Sequence, residues 1–326
     1  MNDIIEKIKE LALEEREKAN KLKADIMLIA DDIKNKRLDI SFEIVNGTSA
    51  KHTACAIDGG KFEFDLGDSY LIMAKAVSVT GNYGDVKTIP PTVIRDFKII
   101  SDYYGEDEVR KNSILLMLTL ETSLLSKADS DVIFIDGPLI DPPIYDESLD
   151  EYFLVRSSIV KNKKPIGIVK RFSHRLLTKY LITQGYELAN VRESYLVAML
   201  MAELRKNVKN KDSVFLGWIN WGKIFKEGKS LLDLNNLEKA YRKFNLPMYS
   251  AYFQLSAISP VVRIDVINQE GIEYVKSWGI EGEKEVTILN KIADTLAKFR
   301  EEEIKSYVSL FQIVRGFDLQ SYLSKF

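Results

Sequence analysis

Two apolar runs in this chain stop at the same pair of residues. Cys55-Ala56-Ile57 ends at Asp58, followed by Gly59 and Gly60, and Val132-Ile133-Phe134-Ile135 ends at Asp136, followed by Gly137. A short apolar run bounded by turn formers reads as a buried strand. Two such strands that each finish on a carboxylate can set two acids side by side at one edge of a sheet. That juxtaposition suits a divalent cation with hard oxygen ligands. Asp-Gly is also a common strand-ending turn, so either motif alone has a purely structural reading.

Composition narrows the chemistry further. One cysteine, Cys55, excludes an internal disulfide and a zinc knuckle, and only two histidines, His52 and His174, are present. A metal centre here must therefore rest on carboxylates, which favours magnesium or manganese over zinc. No run reaches the roughly 18 apolar residues that a membrane span needs, and the charged N-terminus lacks a signal-peptide core, so a cytoplasmic protein is expected. The net charge of −2 argues against a protein that coats nucleic acid without specificity. Charge is nonetheless segregated. Residues 129–151 hold eight acids and no Lys or Arg, whereas residues 161–179 hold Lys161, Lys163, Lys164, Lys170, Arg171, Arg175 and Lys179 and no acid. An acidic metal pocket beside a basic phosphate track produces this pattern; so does a solvated loop followed by a basic helix face.

Along the chain, residues 2–35 carry Ile4, Ile8, Leu11, Leu22, Ile26, Ile29 and Ile33 at helical spacing, as one amphipathic helix or two in series. Strands are expected at Thr53–Asp58 and Tyr70–Thr80, with Gly59-Gly60 and Gly67-Asp68-Ser69 as turns around Lys61–Leu66, opening a meander. Residues 86–99 add a strand or an irregular connection broken at Pro90-Pro91. Asp107–Lys127 is a helix whose wide apolar stripe surrounds Glu121, a charge that needs a partner. After the strand at 131–136, helices are expected at 148–161, 174–184, 189–206 and 231–244. Strands are expected at 165–170 and 214–219, with a hairpin at 248–267. Two helices near 286–296 and 302–314 close the chain. This order predicts an α/β fold: a ribonuclease H-like mixed sheet flanked by helices, with helical additions at both ends. The expected division is an N-terminal helical segment at 1–40 and one ribonuclease H-like domain at 41–326 with a helical insertion around 185–245. In such a fold the first strand and the strand after the first helix are neighbours, which brings Asp58 close to Asp136.

Phosphodiester hydrolysis profits from two divalent ions about 3.5 to 4 Å apart, one generating hydroxide and one stabilising the leaving oxygen. Asp58 and Asp136 are the candidate ligands, with Glu121 completing the set if its helix packs on this edge. The glycines after each aspartate would admit a phosphate backbone without a Cβ in the way. Asp131 is a rival ligand, but it starts the strand that Asp136 ends and so lies about 16 Å away.

The Ile57-Asp58-Gly59-Gly60 strand end, the helix carrying Glu121, the strand Ile133-Phe134-Ile135-Asp136-Gly137-Pro138-Leu139 and the later strand Ile166-Gly167-Ile168-Val169-Lys170 together resemble the NurA nuclease family. The resemblance runs from the first strand to the C-terminal helices. It implies a manganese-dependent deoxyribonuclease, possessing 5′ to 3′ exonuclease and single-strand endonuclease activity, that works as a homodimer with the hexameric HerA ATPase in archaeal DNA-end resection for double-strand-break repair. Residue by residue it implies that Asp58, Asp136 and Glu121 bind metal and that Lys170 contacts phosphate, with Lys164, Arg171 and Arg175 along the DNA. The family often closes its site with a C-terminal histidine, and no histidine follows His174 here. Gly316-Phe317-Asp318-Leu319 resembles the segment leading to it, which leaves the fourth position to Tyr307, Tyr322 or a histidine beyond Phe326.

Two other readings compete. Asp65-Leu66-Gly67-Asp68-Ser69 resembles the first phosphate loop of a sugar-kinase or actin-like ATPase, without a convincing second loop. A non-catalytic module would instead bind DNA or a translocase through the basic track and the amphipathic helices, with both Asp-Gly pairs as turns. Tyr249, Tyr252 and Phe253 offer faces for base stacking, or else core packing.

Overall fold

The computed structural model describes residues 2–84, 87, 93–102, 105–142, 147–172, 174–188, 191–226, 234–283 and 286–315. Pro90-Pro91, the start of the expected helix at 231–244, Gly316–Leu319 and Tyr322 lie outside the described residues. No described helix is long and apolar enough to cross a membrane.

A nine-stranded sheet organises the chain. Its strands are β1 (Ser41–Val45), β2 (His52–Asp65), β3 (Tyr70–Tyr83), β4 (Val93–Asp102), β5 (Val132–Asp136), β6 (Ile166–Val169), β7 (Ser213–Asn220), β8 (Tyr249–Gln254) and β9 (Val261–Val266), in the spatial order β1-β7-β8-β9-β6-β5-β2-β3-β4. Strands β2, β5 and β6 run parallel at its centre, with Ile57 opposite Ile135 and Asp136 opposite Ile168. The other pairings are antiparallel, both the consecutive β2-β3-β4 and β7-β8-β9 and the long-range β1–β7 and β6–β9. The expected adjacency of the two Asp-Gly strands is therefore present.

Helices cover both faces because the central strands are apolar on both. On one face Cys55, Ile57, Ile133 and Ile135 pack against α2 (Glu106–Lys127), α3 (Asp150–Lys163), α4 (Leu176–Thr183) and α5 (Glu193–Leu204), joined by Ile26, Ile29 and Ile33 of α1 (Asn2–Lys34). On the other, Ala54, Ala56, Val77 and Phe134 pack against α8 (Ile272–Ser277) and α9 (Ile288–Ala297), followed by α10 (Glu301–Arg315). The period of two along β2 assigns the faces: odd residues look toward α2, even residues toward α9. Within 185–245, α5, α6 (Trp221–Lys226) and α7 (Asn235–Phe244) frame β7, so this stretch supplies a strand as well as helices.

Two local expectations change. Strand β2 does not stop at Asp58; it runs through both glycines to Asp65, paired with β3 over its whole length. The turn comes at Leu66–Ser69, where Leu66 N donates to Ser69 O at 2.8 Å and Gly67 N to Asp65 Oδ1 at 2.7 Å. With Asp68 paired to Arg315, this segment is a closed hairpin turn whose polar groups are engaged internally. Of the residues offered for base stacking, Tyr252 and Phe253 are fully buried in the core and Tyr249 is partly buried against it, and the Tyr252 hydroxyl donates to the buried Glu193 carboxylate.

Candidate metal centre

Asp58 lies at an even position of β2 and Asp136 at the end of β5, in register with Phe134 on the α9 face. Both therefore project toward α9. From that helix comes a third acid, Asp294, and the carboxylates of Asp58, Asp136 and Asp294 all lie within 4.8 Å of one another. Lys170, one residue past β6, donates to Asp136 Oδ2 at 2.5 Å. The parallel run of β2, β5 and β6 puts these groups at one end of the sheet, the usual place for a site in an α/β fold.

The two glycines explain how the helices come so close. A Cβ at Gly60 would lie 2.0 Å from the carbonyl oxygen of Ala297, so the C-terminus of α9 rests directly on β2. A Cβ at Gly59 would lie 2.4 Å from Glu121 Oε1 on the opposite face. The space expected for a phosphate backbone is thus occupied by the protein's own α9 and α2.

Electrostatics follow from this crowding. Burial, the Asp136 charge and, more weakly, Asp294 push the Asp58 carboxyl up to about 8, against Lys170 and the Gly59 N–H, which donates to Asp58 Oδ1 at 2.8 Å. Burial raises Glu121 well above the carboxylate range, opposed by Arg156 and aided by Asp58, Asp141 and Asp136. Burial likewise lifts Asp141 to about 6, opposed by Arg156. Three carboxylates that converge where Asp58 is buried and Asp136 and Asp294 are partly so offer only oxygen donors and fit a hard divalent cation. A pH dependence follows. Between 3.8 and about 8 the folded, metal-free protein holds a proton on Asp58 that the unfolded chain releases, so stability falls as pH rises through this window. The metal-free thermal midpoint is expected to be lower at pH 8 than at pH 5, and Asp58→Asn to flatten the slope. A wild-type midpoint that climbs over this range in calorimetry contradicts it.

Not every anticipated residue joins the centre. Glu121 sits behind Gly59 and outside the carboxylate trio. Asp131 is at the far end of β5, accepting from Thr53 N at 2.7 Å and Thr53 Oγ1 at 2.9 Å, which holds its carboxyl below the usual range. Lys164 precedes β6 whereas Lys170 follows it, so the two stand about 20 Å apart at opposite ends of the strand. Arg171 is exposed and lines a pocket with Lys170 and Phe172, and Arg175 immediately precedes α4. Tyr307 lines a groove of about 410 Å³ with Phe97, Phe299 and, from the end of α9, Thr295, Leu296 and Lys298, and it is not one of the three acids that converge. Asp294 was missed because its helix announces itself only by the stripe Val286, Leu289, Ala293 and Leu296. Its pairing with Lys298 four residues on reads as an ordinary surface ion pair.

The family model described as NurA domain matches residues 52–299, a span that includes all three carboxylates. The chain belongs to the NurA family. The NurA nuclease of Sulfolobus solfataricus has a similar structure, at a TM-score of 0.63 and 16% identity, covering 98% of this chain and 99% of that one. A NurA structure with manganese gives a TM-score of 0.55 at 11% identity, covering 94% and 98%. A further NurA structure gives 0.53 at 12%, covering 94% and 96%. No curated protein sequence matches this chain. The NurA likeness agrees with an α/β sheet of ribonuclease H-like type.

Proposed function

We propose that this NurA-family chain is a metal-dependent deoxyribonuclease. The observation that carries the reading is the convergence of Asp58, Asp136 and Asp294 within 4.8 Å beside Lys170. Asp58 and Asp136 would hold the cation with Asp294, and Glu121, behind Gly59 on the opposite face, stays in the proposed set as an acid that acts on Asp58 through space. A bound divalent ion would supply an activated water, and a second would stabilise the leaving oxygen. The ammonium of Lys170, tethered to Asp136, is positioned to meet a phosphate oxygen, and Arg171 beside it extends the positive edge.

Manganese, rather than magnesium, is the proposed ion, supported by the manganese in the NurA structure noted above. The 5′ to 3′ exonuclease and single-strand endonuclease activities, the role in end resection, the HerA partner and the homodimer rest on the family resemblance. Exposed Ile4, Ile8 and Leu11 of α1 and Ile313 and Val314 of α10 offer apolar surface for such assembly.

The test is degradation of linear DNA by the purified protein with manganese. Asp294→Asn is expected to slow it about 100-fold with unchanged circular dichroism, a loss on the scale of about 2.7 kcal/mol in the barrier. A wild-type chain inert with every divalent ion sinks the proposal; full activity in Asp294→Asn removes that residue from it.

A further inference from the structure

The sequence repeats Asp-Gly at both ligand positions, and behind each glycine lies a second acid. Gly59, after Asp58, leaves the room that Glu121 fills. Gly137, after Asp136, adopts φ +136°, and a Cβ there would lie 3.7 Å from Asp141 Oδ2. The outer acids Asp58 and Asp136 are thus each backed by an inner one, Glu121 from α2 and Asp141 from the connection after β5.

One cation faces both inner acids. Arg156 lies on the buried stripe of α3 with Phe153 and Val160, where an apolar residue would be the ordinary choice, and it is 1% exposed. Its Nη1 donates to Thr122 Oγ1 at 3.0 Å, next to Glu121, and its Nε to the Leu139 carbonyl at 3.5 Å, two residues before Asp141. Its Nη2 has no hydrogen-bond partner among the described residues. Two neutral acceptors do not repay the burial of a guanidinium, which demands compensating charge. That charge is Glu121 and Asp141, which act on Arg156 through space, without a direct ion pair among the described residues.

We propose that Arg156 is a positioning residue of the metal centre: it clamps α2 to the Leu139–Asp141 connection and balances Glu121 and Asp141, so that Asp58 and Asp136 are presented together. The inference rests on the metal reading above. Partners behind metal ligands are typically worth about 10- to 100-fold in metal affinity. A residue that only filled the core would alter stability and leave the affinity of the folded protein unchanged.

The experiment is calorimetric titration of the folded, full chain with manganese alone, beside thermal melts. Arg156→Met is expected to weaken manganese binding about tenfold or more, Arg156→Lys to weaken it less, and Arg156→Met/Asp141→Asn to recover binding to within about threefold of wild type, because one of the two acids that the guanidinium balances is then neutral. Thr122→Val, which keeps the shape and removes the acceptor, is expected to weaken binding a few-fold and decides the matter should Arg156→Met not fold. Unchanged affinity in Arg156→Met, no recovery in the double variant, or unchanged affinity in Thr122→Val when Arg156→Met is unfolded overturns the inference. Wild-type protein that binds no manganese overturns it together with the metal reading, whereas a binding wild type with an equally binding Arg156→Met overturns it alone.

Discussion

Asp58→Asn is expected to abolish manganese-dependent cleavage of DNA, by about a thousandfold or more, while the metal-free protein becomes more stable. The first effect follows from the trio: Asp58 is the most buried of the three carboxylates, and it lies within 4.8 Å of both Asp136 and Asp294. A thousandfold corresponds to roughly 4 kcal/mol of lost transition-state stabilisation. The second effect follows from like charge. The amide keeps the shape and removes a carboxyl that burial and Asp136 already push up to about 8, so folding no longer brings repelling acids together. The two readouts are initial rates on linear DNA and a calorimetric midpoint in chelator, where a rise of about two degrees or more is expected. A variant that loses activity by unfolding, or that keeps it, contradicts the placement of Asp58 at the centre.

Gly60→Ala is expected to damage both stability and activity from a position that touches no substrate. Its Cβ would meet the Ala297 carbonyl oxygen at 2.0 Å and the carbonyl carbon at 2.9 Å. These are backbone atoms in the last turn of α9, where Lys298 N already donates to Asp294 O. Relief requires the helix end to move, and overpacking of this kind costs about 1–3 kcal/mol. Asp294 is on that same turn, so the movement pulls one ligand out of the trio and the cleavage rate is expected to fall about tenfold or more. Gly59→Ala is the informative contrast. Its first contacts are the Glu121 and Met117 side chains rather than backbone, so the stability loss should be smaller. Equal midpoints for wild type and Gly60→Ala would show that α9 does not rest on β2 as described.

Much of the sheet was legible because its strands are short apolar runs set between turn formers. Val132–Asp136, Ile166–Val169 and the β8–β9 hairpin carry the period and the bounding residues that define a strand. The failures are as physical as the successes. Gly59-Gly60 reads as a turn because glycine pairs usually are; here they continue a strand, since what they accommodate is a helix on each face. α6 and α8, at six residues each, are too short to show a helical period, and β1 interrupts its apolar residues with Glu43. Tyr252 on β8 and Arg263 on β9 are polar-looking residues that are buried because Glu193 and Asp265 engage their polar groups.

By itself the sequence determined the two Asp-Gly strands, their adjacency and the oxygen-only character of any metal site, because periodicity and the scarcity of histidine and cysteine are local or countable properties. Only the tertiary structure decided which other acids meet them. Asp294 is 158 residues beyond Asp136 on a helix with an ordinary stripe, and whether it meets the site depends on how closely α9 can rest on Gly60. Glu121 and Asp141 take the inner places for the same reason. A face of a sheet is fixed by parity, but the helix that covers it, and the carboxylate it delivers, are fixed by packing.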